Sequence, residues 1–128
     1  MEANKEQTFG DFIRMRREAL GKTMRAFAAE VNITAAYLND IEKGNRPAPE
    51  KRLDEFAQAL NITGADLHEM YDLAGKDRNG SFADLNEYML NRNVARVALR
   101  TARDYQIPDK QWEKFIEDIK HNKEGKKT

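Results

Sequence analysis

TMRAFAAEVNITAAYLNDIEKG, residues 23–44, reads as two short helices joined by a tight turn and closed by a helix stop. Thr23 is an N-cap residue, and Met24, Phe27, Ala28 and Val31 follow at spacings of three and four, which share one helical face. Asn32 stands where the chain must change direction; asparagine is one of the few side chains that tolerates a left-handed backbone. Ile33 plugs the corner. Thr34 is a second N-cap, Leu38 and Ile41 point inward, and Gly44 ends the second helix. Two helices this short, crossing through such a turn, make a helix-turn-helix. The second of them is the part able to enter a DNA major groove.

Working outward, the same periodicity predicts an all-α chain. Upstream, Phe9, Phe12, Ile13, Arg16 and Leu20 form a helical stripe in which Arg16 buries only its stem, and Gly21 stops that helix. Downstream, residues 45–49 form a proline-containing loop. Leu53, Phe56, Ala57 and Leu60 line a fourth helix; Thr63 caps a fifth, with Leu67, Met70, Tyr71 and Leu73 inward. These five helices close one small core over residues 1–75. Residues 75–81 (GKDRNGS) are polar and glycine-containing, so 76–92 is expected to be a linker holding a short helical turn around residues 84–89. Residues 93–121 then form a helical hairpin broken at Gln106-Ile107-Pro108, and 122–128 a frayed basic tail.

The segment from Phe9 to about Leu73 resembles the DNA-binding domain of the Cro/C1-type repressors, also called the Xre family. The pattern is Tyr-Leu-(Ser/Asn)-Asp-Ile-Glu-Lys-Gly-x-Arg-x-x-Pro, carried here by Tyr37, Leu38, Asn39, Asp40, Ile41, Glu42, Lys43, Gly44, Asn45, Arg46 and Pro49. The resemblance implies a five-helix repressor-like domain that binds double-stranded DNA. It places base contacts at Ala35, Ala36 and Asp40, with Tyr37 and Asn39 nearby. The best-known phage repressors often carry glutamine there. Alanine offers only a methyl group, which can meet a thymine methyl; Asp40 could accept from a cytosine amino group, or be a surface charge neutralised by Lys43 or Arg25. Tyr37 could reach a phosphate, or pack against the loop around Pro47 and Pro49. Thr23 and Thr34, at helix N-termini, and Arg25, Lys43, Asn45 and Arg46 are the expected phosphate contacts. With few polar base readers, DNA shape would carry part of the specificity.

In the hairpin, Val94 and Val97 lie on one side of the first helix while Arg92, Arg96, Arg100 and Arg103 line the other. Trp112, Phe115, Ile116 and Ile119 make an apolar stripe on the second. Two helices cannot enclose that stripe, so it either packs back on the N-terminal domain or associates with another chain. Residues 102–116 (ARDYQIPDKQWEKFI) resemble the helical hairpin of Sin-type repressors, in which the hairpin multimerises the protein and is captured by an antagonist. This implies a homodimer or higher homo-oligomer reading a two-half-site operator, and a protein antagonist as a further partner.

Composition fits these readings. The 128 residues carry no net charge, but the charge is uneven. Residues 14–25 hold five bases against one acid, a net of +4, and residues 50–72 hold two bases against six acids, a net of −4. A basic side next to the recognition helix is expected, rather than a merely solvated helix face. The absence of cysteine excludes disulfide and thiolate chemistry. No apolar run approaches a membrane span and no segment looks like a signal peptide, so a cytoplasmic location is expected. His68 and His121 have no ligand pattern around them, no phosphate loop occurs, and Ser81 has no adjacent base. No cofactor, metal or catalytic residue is expected. The expected function is a sequence-specific DNA-binding transcriptional regulator acting as a dimeric repressor on a two-half-site operator; the alternative is an antitoxin or regulatory adaptor whose hairpin binds another protein, with DNA binding for autoregulation.

Overall fold

A computed structural model describes residues 7–124. All regular structure among them is helical: α1 (Phe9–Ala19), α2 (Met24–Glu30), α3 (Ala35–Glu42), a 3₁₀ turn (Glu50–Arg52), α4 (Leu53–Ala59), α5 (Ala65–Asp77), α6 (Ala83–Asn91), α7 (Asn93–Asp104) and α8 (Asp109–Glu124). The chain divides into two compact units between Asn86 and Glu87, inside α6. No helix among the described residues is long and apolar enough to cross a membrane.

In the first unit the core gathers around Phe56. The Phe27 ring meets it edge-on at 5.4 Å between centroids, and Phe9 lies at 6.2 Å. The inward residues of all five expected helices are buried here or packed against the cluster. Leu20 is the exception: it is the C-cap of α1 and is exposed, because the helix stops before its stripe completes another turn. Gly10 lets α1 cross α3 closely, since a Cβ at that position would run into the carbonyl oxygens of Ile41 and Glu42.

Helix ends are built alike. After α1, α2, α3, α4, α5 and α7 the chain passes through a left-handed residue, Gly21, Asn32, Gly44, Asn61, Asn79 and Gln106 respectively, and after α5 a second, Gly80, follows Asn79. At each of the first six, the following N–H returns to a carbonyl five residues back, as Ile33 N to Ala28 O (3.0 Å) and Asn45 N to Asp40 O (2.8 Å). Thr63 does not cap α5. Gly64 occupies that position with φ 64°, and no side chain caps the helix. The chain leaves Asn61 left-handed, buries Ile62, and needs a second left-handed residue immediately before α5.

Gly75, expected to begin a linker, lies within α5 and is buried; a Cβ there would strike the Phe82 ring. The expected helical turn at 84–89 belongs to the longer helix α6.

The second unit is open. No residue from Glu87 to Asn122 is buried, and α7 and α8 do not pack along their lengths. Arg96 fixes the break between α6 and α7: its guanidinium donates to the carbonyls of Met89 and Leu90, and to Asn93 Oδ1 at 3.3 Å. The expected tail begins as the last residues of α8, and residues 125–128 lie outside the described residues.

Candidate nucleic-acid interface

The helix-turn-helix is held as one body by a buried ion pair. Arg17 of α1 is 8% exposed and Glu42 of α3 is 4% exposed. The guanidinium meets the carboxylate through two parallel bonds, Nε to Oε2 at 2.7 Å and NH2 to Oε1 at 2.9 Å. A third donor, NH1, reaches the Lys22 carbonyl at 3.0 Å. The hydrogen bond to Glu42 holds the guanidinium protonated against the opposing effect of burial. The pair ties the end of α3 to α1 and to the turn before α2.

That use of Arg17 corrects the expected basic side. Four of the five bases in residues 14–25 are engaged within the domain. Arg14 pairs with Asp11 at 3.3 Å, Arg16 with Asp66 at 2.6 Å, and Lys22 with Glu30 at 2.9 Å and the Ala59 carbonyl at 2.7 Å. Arg25 remains exposed and outside these pairs. The charge count was right, but these side chains satisfy one another within α1 and across the fold before they reach an outside ligand.

Helix α3 buries Leu38, Ile41 and Glu42 and turns its first residues outward. Ala35 and Ala36 are exposed; Asn39 and Asp40 are half-buried beside them. Asp40 pairs with neither Lys43 nor Arg25. The Thr23 and Thr34 hydroxyls accept from the N–H groups of Ala26 and Tyr37, each at 3.0 Å, as the sequence leads one to expect of caps. Tyr37 is partly buried and packs against the core, with the Arg46 guanidinium 4.0 Å above its ring. Tyr37 thus engages the following loop, and Arg46 has a stacking partner on α3. Lys43 and Asn45 are exposed.

The same loop is clamped from α5. Arg78, the C-cap residue, donates to the buried Ala48 carbonyl at 2.7 Å and stands 3.8 Å from Glu50. Sequence reading missed Arg78, because nothing local marks a contact across thirty residues. Two open hollows, of about 360 and 470 Å³, are lined by residues of α2, α4, α5 and adjoining turns, and neither includes an α3 residue. Among the described residues no three His, Cys, Asp or Glu side chains are grouped to hold a metal.

Residues 8–70 match the family model described as a helix-turn-helix domain. This segment is a helix-turn-helix domain. It spans the ion pair, α3 and the loop below it, and ends within α5. Searches of curated proteins and of solved structures returned no match. In the helix-turn-helix domain the expected base-contacting and phosphate-contacting residues sit on α2, α3, the N-caps before them and the loop after α3, and of these Tyr37 packs against the core. The residues expected to drive association are in the second unit. Val94, Val97, Phe115, Ile116 and Ile119 are exposed there, and Trp112 is half-buried with its ring 5.7 Å from Phe115.

Proposed function

We propose that the chain is a sequence-specific DNA-binding transcriptional regulator of the Xre type, acting as a dimeric repressor on an operator with two half-sites. The observation that carries this is the division of α3. Leu38, Ile41 and Glu42 anchor it in the core, while Ala35 and Ala36 stand free at its start with Asn39 and Asp40 alongside. A helix held this way offers its N-terminal residues to base edges. Thr23, Arg25, Thr34, Lys43, Asn45 and Arg46 contact phosphates around it, and Ala35, Ala36, Tyr37, Asn39 and Asp40 face the bases. Methyl contacts and DNA shape then weigh more than side-chain hydrogen bonds in choosing the site.

Association follows from what the second unit lacks. With no buried residue between 87 and 122, Val94, Val97, Trp112, Phe115, Ile116 and Ile119 have no interior of their own to fill. A second copy supplies one, and a two-fold dimer presents two recognition helices. The same open unit supports the second reading, an adaptor that binds a different protein there.

Selection of bound duplexes from a random pool, read beside the mass of the complex, tests the proposal. An enriched site with two related halves and two chains per duplex is expected. Arg25→Ala should weaken binding to all sequences alike and reduce the salt slope by about 1. A pool without enrichment would remove the sequence-specific reading.

A further inference from the structure

Helix α7 carries a charge pattern that the helix-turn-helix does not use. Residues 92–103 contain four arginines, Arg92, Arg96, Arg100 and Arg103, and no acid. Helix α8 differs: residues 109–120 carry Lys110, Lys114 and Lys120 among Asp109, Glu113, Glu117 and Asp118, and Lys114 pairs with Asp118 at 3.1 Å. Mixed charge of that kind suits a solvated face. One-signed charge at three- and four-residue spacing is self-repelling along a helix, and it is relieved only by opposite charge from elsewhere. Inside the unit that relief is slight. Arg96 is spent on the carbonyls that end α6, and Arg92 lies over the Tyr88 ring at 5.6 Å. Arg103 meets only its exposed neighbour Asp104, at 2.9 Å, and Arg100 is exposed.

The residue type narrows the ligand. Every base on this face is arginine, whose flat fork of donors fits phosphate in two-point contact, whereas the bases of α8 are all lysine. Arg96, Arg100 and Arg103 project from one side of α7, opposite Val94, Val97 and Tyr105, so covering the apolar side leaves the arginines free. Arg100 and Arg103 are three residues apart, about 4.5 Å of helix rise, and a DNA strand carries one phosphate per about 3.4 Å of axis, so their long side chains can meet neighbouring phosphates of one backbone.

We propose that the arginine face of α7 is a second phosphate-binding surface, which grips double-stranded DNA flanking the site held by the helix-turn-helix. The inference rests on the DNA-binding reading above. The two units belong to one chain, so docking the first raises the effective concentration of flanking DNA at the second. The surface adds affinity and salt dependence without sequence preference.

The test uses the full chain and its selected operator in two lengths, one trimmed to the selected site and one extended on both sides by about one helical turn. Arg100→Gln with Arg103→Gln should lower the slope of log affinity against log salt by up to about 0.9 for each arginine removed, on the long duplex only. Arg100→Lys with Arg103→Lys should restore most of that slope, because lysine keeps the charge. A slope unchanged by the glutamine pair on the long duplex overturns the proposal and leaves an acidic protein or an anionic membrane surface as the partner. So does a loss that lysine does not restore, or one equally large on the trimmed duplex. Failure of the underlying reading looks different: the wild-type chain would then select no site, and Arg25→Ala would have no effect.

Discussion

Arg17 and Glu42 are where a single atom group decides how α3 is held. A buried ion pair is costly to half-remove, because the surviving charge is left in a low-dielectric site without its partner. Glu42→Ala should therefore cost about 3–5 kcal/mol in urea unfolding. Arg17→Met together with Glu42→Leu should cost clearly less, since both charges leave the interior at once. A double variant as unstable as Glu42→Ala would show that the three-point geometry, rather than charge burial, dominates. Glu42 was legible in principle: with Leu38 and Ile41 it falls on the i, i+3, i+4 spacing of the buried face. Its partner was not, because Arg17 stands in a run of bases that looks like a surface for DNA until the fold brings Glu42 across. At Tyr71, burial, then the hydrogen bond to Asp54, then the charges of Asp54 and Asp84, push the phenol above its ordinary value. The folded state keeps this proton while the unfolded chain releases it near pH 10, so the contribution is present below about pH 10 and is lost above it. Tyr71→Phe should be less stable than wild type at pH 7 by about 0.5–1.5 kcal/mol, with the gap narrowing as pH rises past 10 in parallel denaturant titrations. A gap constant across that range would remove the phenol as the titrating group.

At the scale of elements, periodicity revealed the helices and chirality placed their ends. The spacing of Phe27, Ala28, Val31, Leu38 and Ile41 was sufficient to find α2 and α3, because each must bury one face. Asn32 could be named as the turn because little else tolerates φ 58°. The same device at Asn61 and Asn79 was not legible, since those residues are common on exposed surfaces and only the return hydrogen bonds identify them; at Gln106 the break was legible but not its left-handed backbone. Gly64 took the cap expected of Thr63 for a reason of the same kind: the required backbone is set by where the previous helix ended. Asn32→Gly should change stability by only a few tenths of a kcal/mol, and Asn32→Val should lose about 1–2, the cost of forcing a branched side chain into a left-handed turn. Thermal unfolding separates the two outcomes, and equal losses would mean that the Asn32 side chain, which reaches toward Glu55 at 3.5 Å, matters more than its backbone. On α3, Ala36→Gln should leave the melting temperature within a degree or two, because the site is exposed. It should change the bases preferred in a selection, and identical selected sites would place the bases elsewhere than at Ala36.

Across the whole molecule, the two units differ in what they need. The first closes its own core, and its helices were legible because every apolar stripe found a partner within about seventy residues. The second has stripes without an interior, and no sequence pattern states whether a like chain or a foreign one completes it. Burying one Phe or Ile side chain is worth about 1.5–3 kcal/mol, so Phe115, Ile116 and Ile119 together could outweigh a substantial part of the entropy lost on association. Trp112 stands at the start of that stripe with its ring against Phe115. Large aromatics near the centre of an interface carry a disproportionate share of its energy. Trp112→Ala should therefore shift the full-length chain from dimer toward monomer in sedimentation. A chain ended after Asn86, which keeps Phe82 seated on Gly75, should stay folded, run as a monomer and hold a single half-site weakly. If the wild-type chain is itself a monomer at concentrations that saturate its operator, the surface from Trp112 to Ile119 belongs to a different protein, and the adaptor reading takes the place of the dimeric repressor.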